Sequence, residues 1–168
     1  KRPLTHWRAW TVNRKRVYVN PKQKQFLQGK QKRRTFIGGR GSGKTATIGF
    51  MIWLCFNNLP RAKFFLAGLT YDQILTKSWP SIRDALRLMG LEEYDPRTGL
   101  GHYVKCRKPP EGWPRPWMEP GDHKHCITFI NGFTLELLSL ALIESRRGGS
   151  YDGGFIDESG MVPEDAVT

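Results

Sequence analysis

Apolar residues along this chain alternate between helix-like and strand-like stretches, and this order predicts an α/β fold. A short β-prone run at residues 35–37 comes first. Behind it, apolar side chains recur with helical spacing on one face of a predicted helix, at Ile48, Met51, Ile52, Cys55 and Phe56. Asn57, Asn58 and Pro60 predict the end of that helix.

A second strand and helix follow the first pair. Residues 63–69 form an apolar run typical of a buried parallel strand, and Thr70 is placed to cap the helix behind it. Apolar residues of that helix recur at intervals of four and three, at Leu75, Trp79, Ile82, Leu86 and Met89. Pro80 predicts a kink or a split, because proline removes one helical hydrogen bond, and Gly90 predicts the C-terminal cap.

Residues 90–124 interrupt this order with a segment that holds six of the eleven prolines and cannot continue a helix. We expect an irregular insertion with one strand at residues 102–108. Within it, Trp113 and Trp117 fit either a docking motif or a small satellite core packed under the prolines, and we favour the core.

Two further strand-like runs, at residues 126–130 and 133–140, flank the dipeptide Asn131-Gly132. Asn and Gly tolerate the positive φ that a two-residue hairpin turn requires. The sequence therefore predicts a β-hairpin after the insertion.

The length of 168 residues and the 39% apolar content are sufficient for one domain with its own core. No stretch of 18 or more apolar residues is present, and the first ten residues lack the apolar block of a signal peptide. We therefore expect a soluble, intracellular protein without a membrane segment.

The three cysteines, Cys55, Cys106 and Cys126, have no paired spacing, so reduced thiols fit better than a disulfide framework. His123 and His125 lie close to Cys126, and Cys106 would be the fourth member of a zinc site. No C-x-x-C pair is present, and the alternation around these residues favours a loop that enters a strand, so we do not expect zinc.

The charge is distributed unevenly along the chain. Residues 1–71 contain 16 Lys and Arg and no Asp or Glu, whereas residues 72–168 contain 11 Lys and Arg and 15 Asp and Glu, a net charge of −4. The basic end also carries interleaved aromatic residues, Trp7, Trp10 and Tyr18. This pattern favours a surface that binds a polyanion, although such an arm is also typical of a solvated or partner-docking segment.

The strongest motif is G-G-R-G-S-G-K-T at residues 38–45, a complete G-x-x-x-x-G-K-[ST] phosphate-binding loop directly before the first predicted helix. Its glycines let backbone N–H groups turn toward the phosphates, and the helix dipole adds to that attraction. The predicted nucleotide contacts are Gly38, Gly39, Arg40, Gly41, Ser42, Gly43, Lys44 and Thr45. Lys44 would reach the β/γ oxygens, and Thr45 would offer its hydroxyl to Mg²⁺. The strand-loop-helix context disfavours the alternative of a Gly-rich surface turn.

Residues 155–158, F-I-D-E, supply the acidic groups that hydrolysis requires. At the end of a buried strand, Asp157 would face the loop, hold Mg²⁺ through water and bond Thr45, while Glu158 would polarise the attacking water. Gly153 and Gly154 replace two of the usual apolar residues, which predicts a short or distorted strand.

Three further sets of side chains are candidates for this site. The Gln23 amide, about one helix and a turn before the loop, would bond a donor and an acceptor of adenine and favour ATP, or it is an ordinary polar helix residue. Arg40, and Arg146 with Arg147, would neutralise γ-phosphate charge in cis or on a neighbouring subunit, or bind DNA instead.

Four stretches taken together resemble the ATPase domain of the terminase large subunit of tailed bacteriophages. They are P-K-Q at residues 21–23, I-G-G-R-G-S-G-K-T at 37–45, I-T-F-I-N-G-F-T-L-E-L-L-S at 127–139 and R-R-G-G-S-Y-D-G-G-F-I-D-E at 146–158. The arginine inside the loop and the R-G element before the acidic pair discriminate best. That family drives viral DNA through a portal into a preformed capsid, as a ring of ATPase subunits.

The resemblance implies a P-loop NTPase of the RecA-like (ASCE) type, with a central, mostly parallel sheet flanked by helices. We expect a basic arm at residues 1–20 and an ATPase domain at residues 21–168 that includes the insertion and lacks its C-terminal part. We expect the family's nuclease domain to lie outside these 168 residues. The implied roles are adenine contact for Gln23, phosphate sensor for Arg40, phosphate and Mg²⁺ binding for Lys44 and Thr45, metal binding for Asp157, catalytic base for Glu158 and trans-acting finger for Arg146 or Arg147.

The implied cofactors are ATP and Mg²⁺, and the implied partners are double-stranded DNA bound nonspecifically through its phosphates, further copies of the chain in a ring on the portal, and the small terminase subunit. The location would be the host cytoplasm and, transiently, the portal of the procapsid. Two alternatives stay open: a helicase- or recombinase-like DNA-dependent ATPase, and a nucleotide-binding docking module without turnover. A helicase should carry further nucleic-acid motifs between the two ATP elements, and residues 60–145 contain none that we recognise.

Overall fold

The computed structural model describes residues 10–12, 15–39, 41–142 and 149–157. The elements, in chain order, are β1 (Trp10–Val12), β2 (Lys15–Val17), α1 (Pro21–Gln28), α2 (Lys44–Asn58), β3 (Lys63–Gly68), α3 (Tyr71–Gln73), a π-helical turn (Ile74–Ser78), α4 (Trp79–Leu88), β4 (Tyr103–Lys105), β5 (Cys126–Phe129), β6 (Thr134–Ser139) and β7 (Gly153–Ile156). Within these ranges, no helix has the length and apolar character needed to cross a bilayer.

The main sheet has five strands in the order β4-β5-β6-β3-β7. Strand β3 runs parallel to β6 and to β7, while β4, β5 and β6 pair antiparallel. The α/β class is thus confirmed, but the sheet is mixed, with its parallel part at β6-β3-β7. The predicted hairpin is confirmed as β5 and β6, but its turn is not the predicted two-residue one. The Phe129 N–H donates to the Phe133 carbonyl at 2.8 Å, so residues 130–132 form the turn, and of these only Gly132 has a positive φ, at 82°.

The helices cover the face of the sheet to which alternate residues of β3 point. Phe64 and Leu66 of β3 share one buried cluster with Ile52 of α2 and with Trp79 and Ile82 of α4. This cluster continues over β5 and β6 through Ile127, Phe129, Leu135 and Leu137. With Ile74 of the π-helical turn, the sheet and three helical segments therefore enclose the main core.

Helix α2 is apolar on two sides, whereas the sequence predicted one apolar face. Ile52 lies in the main core, but Phe50 belongs to a second cluster. That cluster also contains Leu27 of α1, Ala85 of α4 and Met89, which directly follows α4. The second side is buried because α1 and the Ala85 side of α4 pack against it. Helix α2 is therefore an interior element that links the two clusters.

The helix predicted after β3 is split, as expected from Pro80. The Thr70 hydroxyl accepts from the Gln73 backbone N–H at 3.2 Å and caps α3. A π-helical turn then leads into α4, in which Pro80 occupies the first turn, where its missing N–H costs least. Gly90, at a φ of 82°, ends α4 as predicted, and the Leu91 N–H returns to the Leu86 carbonyl at 2.9 Å.

The proline-rich segment is irregular, and its only named strand is β4, shorter than the predicted 102–108. Trp113 packs edge-on against Tyr94 with ring centroids 5.6 Å apart, as a satellite core requires. The expectation is wrong for Trp117, whose side chain is 70% exposed and lies under the guanidinium of Arg61 at 3.5 Å from the ring centroid. A cation over the ring lets Trp117 stay at the surface.

The strand predicted at residues 35–37 is absent, and residues 34–39 have no regular structure. Ile37 is 90% exposed. A strand needs a neighbouring strand to pair with its backbone N–H and C=O groups. Among the described residues, no strand of the sheet, including the edge strand β7, pairs with residues 35–37. The hairpin of β1 and β2 was not predicted, because it lies in the stretch taken for a basic arm.

Candidate functional site

The loop at residues 38–45 joins the extended segment before it to the first turn of α2. Gly41 and Gly43 have φ values of 74° and 78°, a left-handed conformation that side chains other than glycine rarely adopt. Chain neighbours aside, no atom of the described residues lies within 4 Å of the place where a Cβ of Gly39 or Gly41 would be. The loop thus leaves room on one side for a ligand to approach its backbone.

Lys44, the first residue of α2, folds back over the loop. Its ammonium donates to the carbonyl oxygens of Gly38 at 2.5 Å and Gly39 at 3.0 Å. The Ser42 hydroxyl lies within the same loop, buried and with no hydrogen-bond partner in the described structure. As at any helix start, the first backbone N–H groups of α2 also lack partners inside the helix. A cation and several donors are therefore concentrated at one point.

Thr45 brings this loop to the end of the sheet. Its hydroxyl donates to the Asp157 carboxylate, at 3.1 Å from Oδ2 and 3.4 Å from Oδ1. Asp157 directly follows β7, its backbone N–H donates to the Ala67 carbonyl at 3.0 Å, and it is 6% exposed. Two predicted site residues, 112 positions apart in the chain, thus meet in a largely buried setting.

The glycines of β7 also have a physical reason. A Cβ on Gly153 would lie 2.7 Å from the Phe64 ring, and one on Gly154 would run into the Phe65 ring. The two aromatic side chains of β3 occupy the volume that apolar residues of β7 would otherwise fill. The strand is therefore short but regular, in parallel register with β3.

Gln23 lies beside the loop, but its amide is engaged within the protein. Its Oε1 accepts from the Asn20 backbone N–H at 2.9 Å, and its Nε2 donates to the Gly43 carbonyl and to the Thr47 hydroxyl, each at 3.1 Å. Both amide donors are used, and Gln23 is 7% exposed. Its predicted adenine contact requires one of these donors to leave its present partner.

Asn20 and Thr47 are contacts of the loop that the sequence analysis missed. Asn20 caps α1, and its Nδ2 donates to the Ser42 carbonyl at 3.3 Å. The available signal was N-P-K-Q at residues 20–23, an N-cap residue followed three positions later by Gln, which is a capping-box pattern. Thr47 accepts from Gln23 and donates to the Gly43 carbonyl, and nothing local in the sequence marks it for either contact.

The remaining predicted site residues, Arg40, Arg146, Arg147 and Glu158, lie outside the described residues. So do residues 1–9 of the predicted basic arm, including Trp7. No geometry is assigned to them, and their roles stay predictions.

The described residues fit a magnesium triphosphate, both at its phosphates and at its metal ion. The Ser42 hydroxyl is buried without a partner, the flanks of Gly39 and Gly41 are open, and Lys44 supplies a positive charge. The Thr45 hydroxyl and the Asp157 carboxylate are oxygen ligands, which Mg²⁺ prefers. Mg²⁺ takes only one or two protein ligands beside phosphate and water, so this small set is sufficient.

No group of three or more His, Cys, Asp and Glu side chains in the described ranges is arranged to hold a metal. The zinc alternative at Cys106, His123, His125 and Cys126 therefore gains no support there. The thiols are not activated either, because burial raises the pKa of Cys55 to about 11 and that of Cys126 to about 12, and also raises the pKa of Cys106.

A cavity of about 470 Å³ lies on the other side of α1, next to the segment that enters the loop. It is lined by the cations Lys22, Arg33 and Arg34 and by the rings of Phe26 and Phe36, and no carboxylate is among its lining residues. Arg34 closes the C-terminal end of α1 by donating to the carbonyls of Phe26 at 2.6 Å and Gly29 at 2.9 Å. This side of α1 is a positively charged surface with aromatic walls.

Comparison with protein-family models, with curated proteins and with solved structures gave no match for this chain. Its resemblance to a family therefore depends on the sequence motifs, and its chemistry has to be argued from the site itself.

Proposed function

We propose that this chain is an ATP-hydrolysing motor subunit that translocates double-stranded viral DNA into a procapsid, the ATPase part of a terminase large subunit. The contact between Thr45 and Asp157 carries the ATPase part of the proposal. A phosphate-binding loop becomes a hydrolase site only when an acidic group stands beside its Thr to share the metal. The motor part rests on the resemblance and on the charge of the first 71 residues.

In this proposal the backbone N–H groups of Gly41, Gly43 and Lys44 bind phosphate oxygens. The Lys44 ammonium exchanges the carbonyls of Gly38 and Gly39 for the β/γ oxygens of ATP. The Thr45 hydroxyl and the Asp157 carboxylate hold Mg²⁺, which supplies charge stabilisation when bound. This set of residues binds and orients the triphosphate.

Turnover needs two further groups, and we propose the predicted ones. Glu158, next to Asp157 in sequence, accepts the proton of the attacking water. Arg40 in cis, and Arg146 or Arg147 from a neighbouring subunit, neutralise the charge that develops on the γ-phosphate. A finger supplied in trans couples hydrolysis to the neighbouring subunit of a ring on the portal.

The DNA-binding surface that we propose lies on the basic side of α1 and of the segment behind it. Its exposed cations are Lys22, Lys24, Lys30, Lys32 and Arg33. They follow one another without any acidic residue between them, which suits nonspecific contacts to phosphates. A motor that moves along any DNA sequence requires contacts of this kind.

Hydrolysis is tested with Glu158→Gln. We expect ATP binding to be retained and steady-state hydrolysis to fall about 10²-fold or more, the contribution of a general base. Lys44→Ala should lose binding as well. Binding by the unaltered protein without hydrolysis would favour a nucleotide-binding docking module, and equal hydrolysis by both proteins would exclude Glu158 as the base.

DNA contact is tested by repeating a binding curve at several salt concentrations. Removing one phosphate contact should lower the slope of log K against log salt by about 0.9. We expect Lys30→Glu and Lys32→Glu to lower both affinity and slope, equally for unrelated DNA sequences. Lys108→Glu, at an exposed position in the insertion, is the matched control with the same change in charge.

A further inference from the structure

The capped first turn of α1 is bonded through two side-chain hydrogen bonds to the phosphate loop and through a third to the first turn of α2. The Asn20 amide donates to the Ser42 carbonyl at 3.3 Å, and the Gln23 amide donates to the Gly43 carbonyl and the Thr47 hydroxyl at 3.1 Å. The capping box itself is closed, because Asn20 and Gln23 also exchange side-chain and backbone bonds at 2.8 and 2.9 Å. Helix α1 and the loop are thus one hydrogen-bonded unit.

The Gly43 carbonyl is held by several donors at once. It accepts from the Gln23 amide, from the Thr47 hydroxyl at 2.8 Å and from the Thr47 backbone N–H at 2.9 Å. In a planar trans peptide, the carbonyl of one residue and the N–H of the next point in opposite directions. Because the Gly43 carbonyl is held toward α1, the Lys44 N–H points away from α1. The Ser42 carbonyl is likewise held by Asn20, so the Gly43 N–H also points away from α1.

From this geometry we propose that Gln23, supported by Asn20 and Thr47, is a positioning residue that aims the Gly43 and Lys44 N–H groups and so sets the affinity of the loop for polyphosphate, whatever the base. The inference rests on the proposed function in one respect, namely that the loop binds phosphates. It differs from the role implied by the resemblance, in which Gln23 reads adenine. It also gives Thr47, on the buried side of α2 and 1% exposed, a part in binding without any contact to ligand.

The inventory of hydrogen bonds supports this assignment. A glutamine amide has two N–H donors, and both are taken by Gly43 and Thr47. Reading adenine through a donor and an acceptor would break one of these bonds and release the Gly43 carbonyl or the Thr47 hydroxyl. Gly43 also has no room for a side chain, since a Cβ there would lie 2.5 Å from the Gln23 amide nitrogen. The fit between the two residues is therefore mutual.

The test measures the affinity for ATP, GTP and inorganic tripolyphosphate, each with Mg²⁺, by titration calorimetry. Gln23→Met keeps the size of the side chain and removes its amide, and Thr47→Val keeps the shape of its side chain and removes its hydroxyl. We expect each substitution to lower the affinity for all three ligands by the same factor, about fivefold to tenfold, which corresponds to the loss of one or two net hydrogen bonds. Gln25→Met, two positions along the same helix at an exposed site, is the matched control and should change nothing.

A second readout does not depend on nucleotide. Hydrogen–deuterium exchange of the peptide over residues 38–47 should be faster in Gln23→Met and Thr47→Val than in the unaltered protein, while unfolding temperatures confirm that each variant is folded. Thr47→Val leaves the capping box of α1 intact, so it separates the contact with the loop from the stability of the helix.

Three outcomes would overturn the assignment. A loss confined to ATP in Gln23→Met would make Gln23 a base contact, unchanged affinities would remove its role, and unchanged exchange would show that the loop keeps its shape without it. Failure of the unaltered protein to bind any of the three ligands would instead refute the proposed function, and the exchange measurement would still decide whether Gln23 holds the loop.

Discussion

The Thr45 hydroxyl donates to the carboxylate of Asp157, a residue 112 positions further along the chain, at 3.1 Å from Oδ2. Asp157 is held by its own N–H in the ladder with β3, so the sheet fixes where its charge lies. A carboxylate that is 6% exposed needs nearby compensation for its charge. The start of α2 supplies it with a hydroxyl and with the positive end of the helix dipole, which explains why the acidic group and the loop adjoin.

This contact predicts how magnesium-dependent binding responds to substitution. Asp157→Asn keeps the shape of the side chain but removes its charge, and Thr45→Val removes the hydroxyl. We expect each to lower the affinity for ATP with Mg²⁺ about tenfold or more, since hydrogen bonds to charged groups contribute about 1.5–3 kcal/mol. Calorimetric titrations in Mg²⁺ and in EDTA measure the effect as the difference between the two conditions.

Two controls belong to that measurement. Thr45→Ser keeps the hydroxyl and should stay close to the unaltered protein, and Asp84→Asn removes an exposed carboxylate of α4 and should have no effect. If Asp157→Asn bound ATP with Mg²⁺ as tightly as the unaltered protein, Asp157 would have no part in holding the metal.

Local rules made parts of this molecule predictable. Four features act through the backbone over a few residues, so a short stretch of sequence is enough to predict them. They are the cap at Thr70, the break at Pro80, the helix end at Gly90 and the turn at Asn131-Gly132. The pairing of Thr45 with Asp157 was predictable for a different reason: a complete loop motif and an acidic strand end are two halves of one known chemistry.

Other features depend on neighbours that no window contains. Residues 35–37 have the composition of a strand, but no described strand takes up their backbone groups. Helix α2 is apolar on two sides because α1 and α4 together bury the side that does not face the main core. The partners of Gln23 could not be predicted, since Gly43 and Thr47 are 20 and 24 positions away. The sequence around Gln23 indicates a polar side chain but not the groups to which it is bonded.

The glycines of β7 give a prediction about stability. Gly153→Ala would press a methyl group to 2.7 Å from the Phe64 ring, which is buried between Phe133 and Phe155. We expect a loss of about 1–3 kcal/mol in the free energy of unfolding, the usual cost of overpacking. Urea denaturation measures it.

Gly121→Ala is the control for that substitution, because no described residue other than its chain neighbours lies within 4 Å of the added Cβ, and the φ of Gly121 is not in the left-handed region. Its unfolding free energy should stay within about 0.5 kcal/mol of the original. Equal losses at both positions would show that the Phe64 ring yields, and that packing against β3 is not the reason for glycine in β7.

A buried ion pair on β3 and β6 gives a second prediction about stability. The Lys63 ammonium lies 2.9 Å from the Glu136 carboxylate, and the two side chains are only 9% and 11% exposed. Glu136→Ala should cost about 3–5 kcal/mol, because it leaves a buried charge without its partner. The double variant Lys63→Met, Glu136→Leu should recover most of that loss, since well-packed apolar side chains replace such pairs at little cost.

The exposed pair of Arg115 and Glu119 is the matched comparison, with side chains 74% and 60% exposed. Glu119→Ala should change the unfolding free energy by about 1 kcal/mol at most, because solvent screens surface pairs. A loss at Glu136 as small as that at Glu119, measured by the same urea series, would mean that burial adds nothing to the Lys63 pair.

The thiol of Cys126 predicts a pH dependence. Cys126 is 1% exposed, and burial, followed by the nearby carboxylates of Glu136 and Asp122, raises its pKa to about 12, whereas an unfolded thiol titrates near about 8.5. Above about pH 8.5 the unfolded chain therefore binds fewer protons than the folded one, and stability falls as pH rises. The stabilising contribution of the protonated thiol is complete below that pH and is lost toward pH 12, with a slope of at most about 1.4 kcal/mol per pH unit for one proton.

Cys126→Ala should be less stable at pH 7.5 through lost packing, yet lose less stability between pH 8.5 and 9.5 in urea denaturation. Parallel losses in both proteins over this range would show that Cys126 does not titrate on unfolding.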